Sequence, residues 1–308
     1  MRLKITRIFA IVIACAIISG CHRPHDSYNL DGLRSAIDSI AAASPGTVGV
    51  AIITPDGDTL TVNNDVKFPL MSVFKLHEAI AAAHVTDRHN QSLDSLLTIR
   101  RDEVSPDTWS PMLQDYPRGD FDISIGDLIR YMLLVSDNNA STLIFDRVVS
   151  VAHADSIIRT LDVPSSFQLR FTEREMQADH PKSYENWSSP LSCAALIKAV
   201  IADSLVSPVK QDSIRSWLSQ CSSANGRMAS AVAQVPDAKL YHRTGSGYVN
   251  DRGQILAVND IGLIELPDGR QLAVAILIKD YAGTQPQADA EIATLTKIII
   301  EHITYSSS

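Results

Sequence analysis

The chain reads as an α/β sandwich. One antiparallel sheet is formed from both chain ends and flanked by terminal helices, with an all-helical subdomain inserted between its halves. Two observations predict this. Strand signals cluster near the two ends, at residues 47–63 and 240–279, and each cluster carries a Pro-Asp-Gly turn. Between them, residues 72–220 read as mostly helical, with aspartate, serine and proline at the breaks. Hairpin halves have open edges whose backbone groups need partners, and completing one sheet supplies them. At 308 residues and 45% hydrophobic content, the chain supports one large domain or two intimately packed ones.

The first segment, "MRLKITRIFAIVIACAIISGC", stands outside that fold. It has a basic start (Arg2, Lys4, Arg7) and an apolar stretch over residues 8–18, too short for a comfortable membrane span. It ends Ile18-Ser19-Gly20-Cys21, which resembles a bacterial lipobox. Residues 1–21 are therefore expected to be a lipoprotein-type leader, with Cys21 lipidated and residues 22–29 a short polar tether. The protein is then exported and periplasmic, touching membrane only through that anchor. The alternatives are a plain signal peptide cleaved nearby, or a membrane anchor.

Residues 30–308 form the folded part, with 30–70 and 221–308 as its α/β portion and 71–220 as its helical portion. Residues 30–43 place Leu30, Leu33, Ile37 and Ile40 at helical spacing. "TVGVAIITPDGDTLTVN" follows as a hairpin turning at Pro55-Asp56-Gly57-Asp58. After the helical middle come strands at 240–244, 254–265 and 271–279, the last two joined at Pro267-Asp268-Gly269. Residues 287–302 make a final amphipathic helix. Cys15 leaves with the leader, so Cys193 and Cys221 remain, either as a disulfide of an exported protein or as two buried thiols. The net charge of -8 argues against nucleic acid as the main partner. No histidine pair stands at ligand spacing, so no metal or cofactor is expected.

Four short patterns carry chemistry. In "MSVFKLHEAI", Ser72 and Lys75 lie one turn apart at a helix start. Serine there is either an N-cap or a nucleophile beside an amine able to take its proton. In "LLVSDNNASTLIF", Ser136 or Asp137 caps a second helix, or Ser136 relays a proton while Asn138 offers an amide to a substrate carbonyl. Glu173 lies in a polar stretch, "FTEREMQADHPKSYENW", without helix or strand period. Its aromatic residues point to a packed loop, and long loops in compact domains are usually functional or disordered. In "LYHRTGSGYV", Arg243 and Thr244 end a strand where glycine admits a ligand or another backbone.

In this order along the chain, the set resembles the class A serine β-lactamases, a family whose motifs are well known. The likeness covers essentially all of residues 22–308. "DTWSPM" resembles the family segment with an aromatic at the cleft rim, here Trp109, and "NDIGLIELPDGRQLAVAILI" resembles its late hairpin. Glu173, Met176, Ala178-Asp179 and Asn186-Trp187 are similar to the Bacteroides-type and PER-like branch. Three departures stand out. Gln177 replaces a common asparagine, Phe171 and Asn186 replace a common Arg/Asp ion pair across the loop, and Arg243 replaces the usual lysine.

The resemblance implies the serine β-lactamase/penicillin-binding transpeptidase fold, a monomer, and hydrolysis of the β-lactam amide of penicillins or cephalosporins, giving antibiotic resistance. Ser72, Lys75, Ser136 and Glu173 would be catalytic. Asn138, Arg243, Thr244, Ser246, Trp109 and Gln177 would bind substrate, with the backbone amides of Ser72 and Ser246 holding the oxyanion. A second arginine would assist with the substrate carboxylate, and Arg227 is preferred to Arg252. Two alternatives remain. One is a penicillin-binding D-Ala-D-Ala carboxypeptidase or transpeptidase, against which Glu173 and the compact length argue. The other is an inactive envelope binding protein on the same scaffold, against which the intact polar set argues.

Overall fold

The structure is a computed structural model that describes residues 28–305. The expected leader, Cys21 and most of the tether lie outside the described residues.

Five antiparallel strands form the main sheet: β1 (Thr47–Ile53), β2 (Thr59–Val62), β3 (Lys239–Ser246), β4 (Ile255–Glu265) and β5 (Gln271–Tyr281). Their order is β2-β1-β5-β4-β3, so the two ends of the chain meet where β1 pairs with β5. That junction is in register from Thr47 opposite Lys279 to Ile53 opposite Ala273. β3 runs two residues past the expected end, because Gly245 and Ser246 stay in the ladder opposite Asn259 and Val258.

Both faces of the sheet are covered. On one, Leu33 and Ile37 from the helix Leu30–Ala43 and Ile292, Leu295 and Ile299 from the helix Gln285–Tyr305 pack against Val48, Val50 and Ile52. On the other, Ala51, Ala275 and Leu277 meet the inserted part. β1 and β5 therefore read as unbroken apolar runs, as strands buried on both faces do. Gly49 sits where the second layer comes closest, since a Cβ there would fall 2.4 Å from the Phe68 ring.

The inserted part is built around the helix Phe74–Arg88, packed between the helices Ile125–Val135, Asn138–Arg147 and Val151–Arg159, while the helix Pro190–Ala202 lies against the sheet. It also holds small strands that the all-helical expectation missed. Leu96–Ile99 pairs with Phe121–Ser124, and Trp187–Ser188 pairs both with Phe167–Gln168 and with Phe68–Pro69, which lies just ahead of the inserted part. Two to four residues are too few to display a two-residue period. Cys193 and Cys221 are both free and buried. Among the described residues no helix is long and apolar enough to cross a membrane.

Asn259 of β4 joins the sheet to the start of the inserted part. Its fully buried amide donates to the carbonyls of Pro69 (2.7 Å) and Leu70 (3.1 Å). Asn259→Ala leaves both carbonyls short of a buried partner. It should lower unfolding stability by about 2 kcal/mol, read as a reduced denaturant midpoint at unchanged slope.

Candidate active site

Residues Met71–Val73 form one 3-10 turn feeding the helix Phe74–Arg88, and no side chain caps either start. Ser72 is thus not a helix cap. Met71 sits at φ 45°, a left-handed conformation that a non-glycine residue holds only when its surroundings enforce it. The enforcement comes from both sides, because the Leu70 amide donates to the Asn186 carbonyl (2.8 Å) while Asn259 holds the Leu70 carbonyl. The edge of β3 then lies directly on this turn. A Cβ on Gly245 would fall 2.6 Å from the Leu70 carbonyl oxygen and 3.2 Å from the Ser72 nitrogen. Ser72, Ser136, Asn138 and Glu173 consequently face Thr244 and Ser246 across one cleft of about 350 Å³.

Lys75 projects from the same helix into the floor of this cleft and is fully buried. Its Nζ donates to Asn138 Oδ1 (2.6 Å), to the Ser136 carbonyl (2.9 Å) and to Ser136 Oγ (3.4 Å). It also lies 3.8 Å from Glu173 Oε2. Burial pulls the Lys75 pKa down to about 8, against the opposing pull of Glu173. The Asn138 amide nitrogen donates to Thr108 Oγ1 (2.9 Å), which turns its carbonyl toward the lysine. Ser136 closes the helix Ile125–Val135 in the left-handed conformation (φ 63°). Asp137 caps the next helix at the Ala140 amide and also accepts from Ser110 and from the Met112 amide. The structural role of Asp137 therefore presents Ser136 and Asn138 to the cleft.

The two arginines work from behind the cleft wall. Arg243 is fully buried and donates to the Ser72 carbonyl (3.0 Å), Ser136 Oγ (2.7 Å), the Leu133 carbonyl (3.3 Å) and Ser223 Oγ (3.4 Å). Its planar fork ties the cleft walls together from behind, where the resemblance had implied a substrate-binding residue. Arg227 donates to Ser246 Oγ (2.6 Å) and to the carbonyls of Gly245 and Asn259, and its Nε pairs with Asp289. Arg252 lies elsewhere, its side chain 70% exposed and paired with Asp280. On this wall the hydroxyls of Thr244, Ser246 and Ser223 line the cleft, backed by two buried cations.

Glu173 is not in an irregular loop. It begins a short helix, Glu173–Ala178, set by a capping box between Thr172 and Glu175, and a 3-10 stretch over His180–Glu185 follows. Six residues are too few to show a helical period, which is why the pattern was invisible. Asn186 replaces the absent ion pair with three backbone hydrogen bonds. Its Oδ1 accepts from the Arg170 (2.8 Å) and Phe171 (2.9 Å) amides, and its Nδ2 donates to the Phe171 carbonyl (2.7 Å). Glu173 is buried, and its Oε2 has no hydrogen-bond partner among the described residues. Gln177 lines an adjoining hollow with Glu173 and Asn138, and its amide donates to the Asp107 carbonyl (2.8 Å). Trp109 stands at the rim, 63% exposed, with its indole nitrogen donating to the Val135 carbonyl.

Sequence reasoning missed Ser223 and Tyr248 on the cleft walls and Thr108 in the adjoining hollow, since isolated residues in loops carry no spacing signal. It also missed Glu78, which did leave one: an acid inside an otherwise apolar helical run. Glu78 is fully buried one turn beyond Lys75, takes a hydrogen bond from Ser141 (2.7 Å), and burial raises its pKa well above the usual range.

Residues 32–303 match the model of the β-lactamase enzyme family. A β-lactamase of Phocaeicola vulgatus is 39% identical over 300 residues, covering 95% of this chain and 94% of that protein. This chain belongs to the β-lactamase enzyme family. The extended-spectrum β-lactamase PER-1 of Pseudomonas aeruginosa is 30% identical over 86% of the chain and 85% of its own length. A solved class A β-lactamase from Bacteroides cellulosilyticus superposes with a TM-score of 0.84 at 27% identity, over 92% of this chain and all of that one. The class A fold and the branch resemblance read from the Glu173 segment both stand.

The β-lactamase cleft makes Lys75 a measurable liability. From pH about 8 to 10.5 the unfolded chain retains a proton that the folded protein releases. The penalty for burying the charged amine is full below that window and is relieved as pH rises through it. Stability of the parent relative to Lys75→Met should therefore increase across the window by up to about 3 kcal/mol, read from urea midpoints at both ends. A constant difference would contradict the lowered pKa.

Proposed function

We propose that this enzyme opens the β-lactam ring through an acyl-enzyme on Ser72 and releases the product with a water activated by Glu173. The observation that carries the proposal is the position of Lys75 Nζ, shared among Ser136, Asn138 and Glu173 one turn from Ser72. Ser72 Oγ attacks the ring carbonyl. Its proton passes to Lys75 directly or through a water held by Glu173. With a pKa near 8, about a tenth of Lys75 is neutral at neutral pH, the form that the direct route requires. The amides of Ser72 and Ser246 stabilise the oxyanion, a role in which one lost donor costs about 3 kcal/mol elsewhere. Ser136 hands a proton to the departing ring nitrogen, and Asn138 orients the side-chain amide of the substrate. Thr244 and Ser246 bind its carboxylate in the field of Arg243 and Arg227. Trp109 lines the rim, and Gln177 braces the segment that carries Glu173.

Hydrolysis is favoured over a penicillin-binding peptidase because Glu173 is buried 3.8 Å from Lys75, where a water can be turned against the ester. All of these side chains come from one chain, which suits a monomer. The leader and Cys21 support export to the periplasm on a lipid anchor.

With a chromogenic cephalosporin the parent should turn over steadily. Ser72→Ala should be inactive, and Glu173→Gln should accumulate a covalent adduct on Ser72 by intact mass. A single slow burst from the parent, leaving a long-lived adduct, would instead select the penicillin-binding reading. In a bacterial host, Cys21→Ser should abolish labelling by a fatty-acid probe and free the enzyme from the membrane fraction. Unchanged labelling would remove the lipoprotein assignment.

A further inference from the structure

Asn138 and Glu173 line two cavities. One is the cleft that holds Ser72. The other is the adjoining hollow of about 300 Å³, enclosed by the loop at residues 105–108 and the helices Asn138–Arg147 and Glu173–Ala178. Among the described residues, none of β3 or of the Ser72 turn lines it. Its walls are set by cross-ties. Asn139 clips the loop to its own helix, with Oδ1 accepting from the Ser105 amide (2.9 Å) and Nδ2 donating to the Ser105 carbonyl (2.8 Å). Gln177 joins the Glu173 helix to the same loop at the Asp107 carbonyl (2.8 Å). Arg174 anchors that helix twice more, donating to the Glu103 carbonyl (3.0 Å) and to Asp146 Oδ2 (3.2 Å). The separation of the three elements is therefore built into the fold.

The chemistry of the walls suits water. A buried water takes about 30 Å³ and makes about three hydrogen bonds. The hollow has room for several, and Ser105, Thr108 and Thr142 offer hydroxyls to them. Thr142 is buried, whereas Ala178 and Arg174 are exposed, so the hollow runs from the surface to the inside. Glu173 supplies the second observation. It is a buried carboxylate in the shared wall, and its Oε2 has no hydrogen-bond partner among the described residues. A buried carboxylate oxygen left without a donor is costly, and water is the donor that this wall admits.

We propose that the hollow is the water supply of deacylation, and that water reaches Glu173 past Ala178 and Thr142 without crossing the cleft. The inference rests on the acyl-enzyme reading given above and adds a route to it. While the opened substrate is esterified to Ser72, it occupies the cleft and covers Glu173 from that side. Each turnover still consumes one water. Glu173 takes a proton from it, the water oxygen bonds to the ester carbon, and the bond from that carbon to Ser72 Oγ breaks. The proton passes to Ser72 Oγ, and the product leaves as the acid. The next water enters through the hollow. Acylation consumes no water, so the two half-reactions differ in their need for this route.

The test obstructs the hollow from two walls. Thr142→Met fills it from the buried side, and Ala178→Trp covers its exposed mouth. Acylation by a chromogenic cephalosporin is followed by stopped flow, and the adduct on Ser72 by intact mass. In both variants acylation should stay within about twofold of the parent while deacylation slows about tenfold or more. The adduct then accumulates, and kcat and KM fall together at nearly constant kcat/KM. In crystals of the Ser72 adduct trapped with Glu173→Gln, ordered water should run from Ala178 past Thr142 to position 173. Unchanged deacylation in either variant, or no water in the hollow of the adduct, overturns the route. Equal slowing of both half-reactions overturns it as a displaced site, and a raised KM with deacylation untouched overturns it in favour of a pocket for the substrate side chain. A parent that never turns over a β-lactam defeats the hydrolase reading and the route with it, whereas a parent that turns over beside variants that match it defeats the route alone.

Discussion

The structure depends on the contact between the edge of β3 and the turn that carries Ser72. The two are far apart in the chain, and one backbone lies on the other with room for a hydrogen atom and no more at Gly245. Arg243 crosses the same seam, reaching the Ser72 carbonyl on one side and Leu133 and Ser136 on the other. The inserted helices share one core with a face of the chain-end sheet, and the cleft lies along that boundary. A small shift of β3 would move the amides of Ser72 and Ser246 relative to one another, and catalysis by aligned dipoles is intolerant of such shifts.

Charge governs the rest of the site. Lys75, Arg227 and Arg243 are all buried within it, and desolvation disfavours each. They are held by dense hydrogen bonding to carbonyls and hydroxyls, and by Asp289 beside Arg227 and Glu173 beside Lys75. A buried cationic cluster suits a substrate that arrives with a carboxylate and develops an oxyanion. Burial, with the nearby charge of Arg243, also brings the Lys75 pKa down to about 8, well below that of a solvated lysine. The stability sacrificed to hold these charges is the usual cost of a preorganised site.

Much of this was legible in the residues. The two strand clusters reveal the sheet because β1, β4 and β5 are long and apolar enough to show their pattern. Ser72, Lys75, Ser136 and Asn138 are visible because short helical turns fix their spacing. Glu173 could be picked out, but its helix could not, since a six-residue helix held by a capping box has no period. Asn186 was read only as a missing ion pair, because nothing in one sequence says that an amide will clip three backbone groups. The burial of Arg243 was hidden for a different reason. It depends on strand register and on Ser72, Leu133 and Ser136 from distant parts of the chain, which are tertiary facts.

The measurement that bears most directly on this account is the rate of Ser72 acylation in Gly245→Ala, with unfolding followed in parallel. One methyl group at that position cannot fit against the Leu70 carbonyl without moving the seam. The account predicts a folded protein whose acylation rate falls about a hundredfold, the scale of an ångström-sized misalignment. Acylation within about twofold of the parent, at undiminished stability, would contradict it, because the cleft would then not depend on how β3 meets the Ser72 turn.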